Sequence, residues 1–199
     1  MVITIAREFA SGGREFGRRL ADELQIAYYD REILQEIAKK TPYSQEYIEE
    51  VTRGRPVSLF PIHYAGTFVS VSDPNLVQAT DIFQEQSNVL KELADKSDCV
   101  IIGRAADYVL RDRKPFRIFV YADLETKIKR CREREEAGKE MSERELIKMM
   151  KKIDKQRKQF YEFYTGYTWG AREHYDLMIN TSGANIKSIA KAVAALIRG

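Results

Sequence analysis

Several features that would mark a secreted, metal-bound or membrane-embedded protein are scarce or missing in this chain. Only two cysteines occur, Cys99 in an apolar run and Cys131 in a helical one, with no CxxC spacing, which excludes a disulfide framework and a cysteine zinc site. Both read as buried thiols in a reducing compartment. The two histidines, His63 and His174, have no carboxylate or second histidine at ligand spacing, so neither reads as a metal ligand. No run approaches the roughly 18 apolar residues of a membrane span, and the opening run from Val2 to Ala6 is too short for the core of a signal peptide. A cytoplasmic protein with no membrane partner is expected. Strong charge of either sign is also lacking, since 33 Lys+Arg against 30 Asp+Glu leaves +3. That balance argues against nucleic acid, whose binders concentrate uncompensated cations on one face, and favours small anionic ligands.

The 199 residues, 44% hydrophobic and 32% charged, suffice for one well-buried domain. Short apolar runs rich in Ile, Val, Phe and Tyr alternate with helical periodicities, and neither repeats nor low-complexity tracts interrupt them. This predicts an α/β, three-layer fold with a parallel sheet covered by helices on both faces. The expected strands are Val2 to Ala6, Ile26 to Tyr29, Cys99 to Ile102, Phe116 to Tyr121 and Tyr175 to Asn180. In such sheets ligands sit beyond the carboxyl ends of the strands, and polar residues cluster there: Arg7 with Ser11 to Arg14, Asp30 with Arg31, Gly103 with Arg104, and Asp123.

One absence is more telling than the rest. From Ile3 to Leu24 the chain reads as a strand, a small-residue turn with Ser11, Gly12 and Gly13, and a basic amphipathic helix. An ordinary P-loop joins strand to helix by GxxxxGK[ST], its backbone N–H groups wrapping phosphates and its lysine reaching the terminal ones. Here Arg7 stands at the first glycine of that pattern, Gly13 at the lysine, and Arg14 follows one step late. Phosphoryl transfer depends on positioning and on neutralising charge, so another cation can serve. Arg14 is the first candidate, with Arg130 or Arg157 as substitutes.

Punctuation places the helices that would carry them. Asp123 caps a helix running to about Ala137, where Gly138 stops it, and the GKEM stretch forms a hairpin tip. Ser142 with Glu145 opens the next helix as a capping box. Lys127, Arg130 and Arg134 share a face of the first helix. On the second, the apolar stripe through Leu146, Met150, Ile153, Phe160, Tyr161 and Tyr164 has Asp154 and Arg157 beside it, either an intrahelical ion pair or an arginine aimed at a phosphate. Two hinged helices offering arginines have the character of a lid. Between the second and third strands lies an insert, partly helical from Ser44 to Thr52, with Arg53, Gly54 and Arg55 followed by an apolar patch from Leu59 to Val71. It is placed either to hold an acceptor or to cover one sheet face. Tyr161, Tyr164, Tyr167 and Trp169 read as helix-to-core packing, one ring being available to stack on a base.

The loop, the strand ending in YYD, the VIIGRAADY run, the arginine-rich hairpin, IDKQRKQFYEFYTGYTWG and the following YDLMINTS together resemble the cytidylate kinase-like family, over nearly the whole chain and in the right order. The resemblance implies a nucleoside monophosphate kinase fold. It comprises a core (1–40, 76–124, 165–199), an NMP-binding insert (41–75) and a lid (125–164). It further implies transfer of the γ-phosphoryl of ATP to CMP or dCMP with Mg²⁺. Carried over, Ser11, Gly12, Gly13 and Arg14 match the cradle and Asp30 the aspartate near the acceptor. Arg104 matches the arginine of a DGRD stretch, Arg130 a lid arginine, and Asp154 with Arg157 an RDxxD region. The chain departs from the pattern at Gly13, at Ile102 where the aspartate before Gly103 belongs, and at Ala105, which leaves Asp107 as the nearest carboxylate.

The expectation is therefore an ATP- and Mg²⁺-dependent kinase. Ser11, Gly12, Gly13, Arg14, Glu15 and Arg134 would hold the donor, while Arg14, Arg130 and Arg157 act on the transferring group. Asp30, Arg31, Arg104, Asp107 and Asp154 would hold the acceptor. The metal ligands stay open among Glu15, Asp30, Asp107 and Asp154. Two other readings are a P-loop kinase for a different small acceptor and a nucleotide-binding regulatory module without catalysis.

Overall fold

The computed structural model describes residues 1–52, 74–134 and 141–199. Five strands, β1 (Val2–Arg7), β2 (Ala27–Tyr29), β3 (Cys99–Ile102), β4 (Phe116–Tyr121) and β5 (Leu177–Asn180), form one sheet in the order β2-β3-β1-β4-β5. Every pairing is parallel, with Ile3 opposite Val100 on one side and Phe116 on the other. The expected strands all form. The second and fifth start one and two residues later than the sequence suggests, because Tyr175 closes a 3₁₀ turn over Arg172–His174 before β5 can begin.

Both faces of the sheet are covered, and the strands show why. In β3, Cys99 and Ile101 enter one core cluster while Val100 and Ile102 enter the other, the two-residue alternation of a strand buried on both sides. On one face α1 (Gly13–Leu24) and α8 (Ile186–Arg198) pack Phe16, Leu20, Ala190 and Val193 against Ile3, Ile5, Ile118 and Val120. On the other, α2 (Glu32–Lys40), α3 (Gln45–Thr52) and α4 (Pro74–Lys96) bring Ile33, Ile37, Ile48, Ile82 and Leu90 against Val2 and Ile101. Ile48 is fully buried there, so the described part of the insert does cover the sheet face. Its Arg53, Gly54 and Arg55, His63 and the Leu59 to Val71 patch lie outside the described residues.

After β3 the chain forms the short α5 (Ala106–Val109), and after β4 it enters α6 (Leu124–Arg132) and α7 (Glu143–Thr165). Both expected caps are present: Asp123 Oδ1 accepts from the Thr126 N–H at 2.7 Å, and Ser142 and Glu145 form a reciprocal capping box. One boundary differs. The first lid helix ends at Arg132 rather than near Ala137, because the Arg134 N–H bonds the Cys131 carbonyl at 3.0 Å and so tightens the last turn. Arg134 is therefore in an exposed turn and shares no helical face with Arg130; Ala137, Gly138 and most of the GKEM stretch lie outside the described residues. Cys99 is buried as expected, whereas Cys131 is partly exposed, and both are free thiols.

The chain leaves β1 towards the α1 face and β3 towards the opposite, α5 face, so the ends of these neighbouring strands open a crevice. The core beneath it carries the stability. Phe16→Ala, which empties a fully buried aromatic site on α1, is expected to lower stability by about 3–5 kcal/mol in urea denaturation. Leu196→Ala at an exposed position of α8 should change it by less than about 0.5 kcal/mol.

Candidate active site

The turn from Glu8 to Gly12 is pinned from outside by its carbonyls. Arg157 Nη1 donates to the Arg7 carbonyl at 3.0 Å, Arg130 Nη1 to that of Ala10 at 3.4 Å, and Thr181 Oγ1 to that of Ser11 at 2.6 Å. Arg130 in turn reaches Thr181 Oγ1 at 2.9 Å and the Thr181 carbonyl at 3.1 Å. Within the turn, the Ser11 side chain and its N–H both bond the Glu8 carbonyl, and Ala10 takes a left-handed φ of 56°. The Phe9 N–H is taken by Asp154 Oδ1 at 2.7 Å, and the Glu8 carboxylate meets Lys127 Nζ at 2.5 Å.

Downstream the amides are open. Gly12 is the N-cap of α1 at φ 80°, and no side chain caps the helix. The first turn, Gly13, Arg14 and Glu15, therefore presents uncompensated N–H groups at the positive end of the helix dipole, a ready anion site. Glycine is needed at position 12, where a Cβ would come within 2.5 Å of Ile186 Cδ1 and 3.3 Å of Arg130 Nη1. Ser11 is structural, being fully buried in its own turn and bonded to the Glu8 carbonyl.

The expected cations fall into two groups. Arg130 and Arg157 hold the turn, and burial pushes the pKa of each guanidinium down. Asp154 and Arg157 are the intrahelical pair at 3.2 Å, yet both also reach across to the turn, so the pair is a clamp between α7 and β1. Arg14 does not curl over the loop. Its Nε lies 2.6 Å from Asp30 Oδ2 and its Nη2 3.5 Å from Oδ1, which ties the start of α1 to the end of β2. Glu15 pairs with Arg19 one turn on, at 2.9 Å. Asp123 caps its helix and donates its own N–H to Ser182 Oγ at 2.7 Å.

Between the ends of β1 and β3, α3 and α7 lies a cavity of about 330 Å³. Arg7, Arg14, Arg31, Arg104 and Arg157 line it against the carboxylates Glu49 and Asp107, and Phe9, Phe160, Tyr161 and Trp169 supply aromatic walls. Arg104 is aimed by unusual backbone: Gly103, Arg104 and Ala105 have φ of 69°, 63° and 51°, and each non-glycine in that region costs about 1–2 kcal/mol. The Arg104 carbonyl accepts from Gln86 Nε2 at 3.0 Å, and its Nη1 donates to Thr52 Oγ1 of α3 at 2.5 Å. The insert thus both covers the sheet and touches the cavity. Ile102 is fully buried in the α1 face, so the position that carries aspartate in the resembled pattern is core here.

Asp107 accepts from Tyr161 Oη at 2.6 Å. Burial raises the pKa of its carboxyl above the usual 3.8, although the tyrosine hydrogen bond works against this. The other aromatics are packing: Tyr164 stacks on Phe83 at 3.9 Å, Trp169 meets Phe119 edge-on and Tyr167 lies flat on His174. Among the described residues no cluster of three or more His, Cys, Asp or Glu could hold a metal, and no helix is long and apolar enough to cross a membrane.

One position that holds the turn was not singled out from the sequence, and another was singled out without a role. Thr181, in the INTS run after β5, locks the turn and Arg130 together. Arg7 lines the cavity, a role that its place at a lost glycine conceals.

A model of the cytidylate kinase-like family matches residues 2–183. No curated protein matches the chain. An uncharacterized protein from Eubacterium ventriosum ATCC 27560 has a similar crystal structure at a TM-score of 0.69, with 27% identity and coverage of 100% of this chain and 99% of that one. Shikimate kinase from Bacteroides thetaiotaomicron superposes at 0.57 with 16% identity, covering 100% and 99%. Shikimate kinase from Acinetobacter baumannii, in complex with shikimate, gives 0.51 with 19% identity over 99% and 92%. These last two likenesses are of fold, and they agree with a P-loop kinase architecture.

The raised pKa of Asp107 has a testable sign. The fold favours its protonated form, so this group contributes stability at acid pH that is lost as pH rises through the raised value. Asp107→Asn, which can still accept from Tyr161, should remove that loss. In thermal melts from pH 4 to pH 7 the variant is expected to gain on the native protein as pH rises, and parallel profiles would refute the assignment.

Proposed function

This chain belongs to the cytidylate kinase-like family and is a kinase-type phosphotransferase, and on that premise we propose that it transfers the γ-phosphoryl of ATP to a nucleoside monophosphate, CMP or dCMP first. The observation that carries the reading is the arginine- and aromatic-lined cavity lying directly beside the uncapped start of α1. A monophosphate with an aromatic base matches those walls, and the cavity volume falls in the usual range for small-ligand pockets, about 300–1,000 Å³.

In this reading the N–H groups of Gly12 to Glu15 take the donor phosphates, with the α1 dipole behind them. Asp30 fixes Arg14 at the cavity edge, so Arg14 serves the acceptor side rather than the donor. Arg104 and Arg31 complete the acceptor's anion site, and Arg130 and Arg157 keep the turn in the shape that exposes its amides. The family implies ATP with Mg²⁺, a metal that neutralises charge on the β- and γ-oxygens. Mg²⁺ is held largely by substrate phosphates and waters with one or two carboxylates, so the lack of a described acidic cluster is compatible with it. Glu15, on the first turn of α1 and partly exposed, is the carboxylate that would hold it.

A different small anionic acceptor is the second reading, favoured by the burial of Ile102 where the resembled pattern has aspartate.

A coupled ADP-release assay with MgATP and CMP, dCMP, UMP or AMP decides between them. Turnover dependent on CMP or dCMP is expected. Asp30→Asn should raise the acceptor KM by at least about tenfold, since it unseats a charge-paired arginine worth roughly 1.5–3 kcal/mol. ATP binding by calorimetry without any monophosphate-dependent turnover would favour the second reading. Tight nucleotide binding without any phosphoryl transfer would indicate a regulatory module.

A further inference from the structure

We propose that Arg7 takes over the work of the missing loop lysine, its guanidinium contacting the phosphoryl or phosphate group bound at the end of β1. The inference rests on the phosphotransferase reading for its chemistry, and on the geometry around Gly13 and Gly103 for its assignment.

The two departures from the P-loop pattern are one change. A Cβ on residue 13 would stand 2.6 Å from Arg7 Cβ, 3.0 Å from Arg7 Cγ and 3.4 Å from Val120 Cβ. The first of these, Cβ, is fixed by the backbone and cannot swing away. A side chain at position 7 and one at position 13 therefore exclude each other. With glycine at 7 the 2.6 Å and 3.0 Å contacts vanish and a Cβ at 13 keeps only the 3.4 Å approach to Val120 Cβ; with arginine at 7, glycine is required at 13. The cation has moved from the helix end of the loop to its strand end.

Its path confirms where it goes. The Arg7 guanidinium passes over Gly103, whose φ of 69° suits glycine and leaves the space beside Nη1 open. The head then lines the cavity that holds Arg14, Arg104 and Arg157. Those three have protein partners: Arg14 has Asp30, Arg104 has Thr52, and Arg157 has Asp154 and the Arg7 carbonyl. Arg7 makes no side-chain hydrogen bond or ion pair among the described residues, although its side chain is sunk between β1 and β3. Burial and the neighbouring Arg157, Arg104 and Arg14, opposed by Asp30, push its pKa from 12.5 down to about 9. It stays charged at neutral pH, and an unpaired, half-buried cation facing a cavity is in deficit until an anion arrives.

The deficit gives the test a signature that a structural arginine would not show. Arg7→Met removes an unpaired, half-buried charge, so its thermal midpoint without anions should equal or exceed that of the native protein. Adding inorganic pyrophosphate, ATP or CMP should raise the native midpoint, and the variant should lose most of the rise for at least one of them. By calorimetry that ligand should bind about ten- to a hundredfold more weakly, the range of a charge-assisted hydrogen bond. Loss with pyrophosphate and ATP places Arg7 on the donor phosphates, where the lysine would act; loss confined to CMP would place it on the acceptor phosphate and overturn the replacement. Gly13→Lys alone should destabilise the protein by its clash, and Arg7→Gly with Gly13→Lys should recover both stability and anion binding.

The proposal falls if Arg7→Met binds all three ligands as the native protein does, if no anion stabilises the native protein, or if the variant melts lower without anions. These outcomes are separable from the function itself. Acceptor-dependent turnover unaffected by Arg7→Met overturns the role of Arg7 and leaves the phosphotransferase reading standing. Anion binding that depends on Arg7 without turnover for any acceptor does the reverse.

Discussion

The turn between β1 and α1 is held from outside by its carbonyls. Arg157 from α7, Arg130 from α6 and Thr181 from the end of β5 each take one, while the start of α1 that follows has no side-chain cap. An ordinary glycine-rich loop reaches such a shape through backbone freedom. Here residues 7 to 10 are Arg, Glu, Phe and Ala, and the shape is imposed by side chains from three other elements. The arginines of α6 and α7 are thus built into the support of this turn, and α6, α7 and β5 register any disturbance of it.

Fixing the loop in this way leaves its electrostatics unbalanced in one direction. Five arginines line a cavity with two carboxylates, and burial raises the pKa of one of those, Asp107, above the usual 3.8. Such an excess of positive charge in a small, partly enclosed space is costly without a ligand and favourable with an anionic one, which is the relation that catalysis of phosphoryl transfer exploits. The left-handed run of Gly103, Arg104 and Ala105 adds local strain at the same place, and strain of this kind persists only where surrounding structure over-determines it.

Much of the frame was legible in the sequence. All five strands, both N-terminal caps of the lid helices and the two-sided burial followed from local patterns, since alternation, capping residues and apolar runs act over a few residues. The end of α6 was missed because a tightened final turn depends on a hydrogen bond from Arg134 to Cys131, which residue types alone do not reveal. Of the partners of the candidate residues, the Asp154–Arg157 pair was legible from its spacing, while the cross-chain ones were not. Arg14 looked poised to replace the lysine, and it is instead paired with Asp30, sixteen positions away, a pairing that depends on where β2 ends relative to α1.

Sequence by itself determined the α/β class, the strand and helix order, and the position of the turn that lacks the P-loop glycine and lysine, because each is written in contiguous residues. Only the tertiary structure showed how those two departures are linked. Arg7 and Gly13 are six residues apart and look like two independent losses, yet in the folded chain their Cα–Cβ directions converge to a separation at which both cannot carry side chains. That exclusion is steric and three-dimensional. It joins the missing glycine and the missing lysine into one exchange.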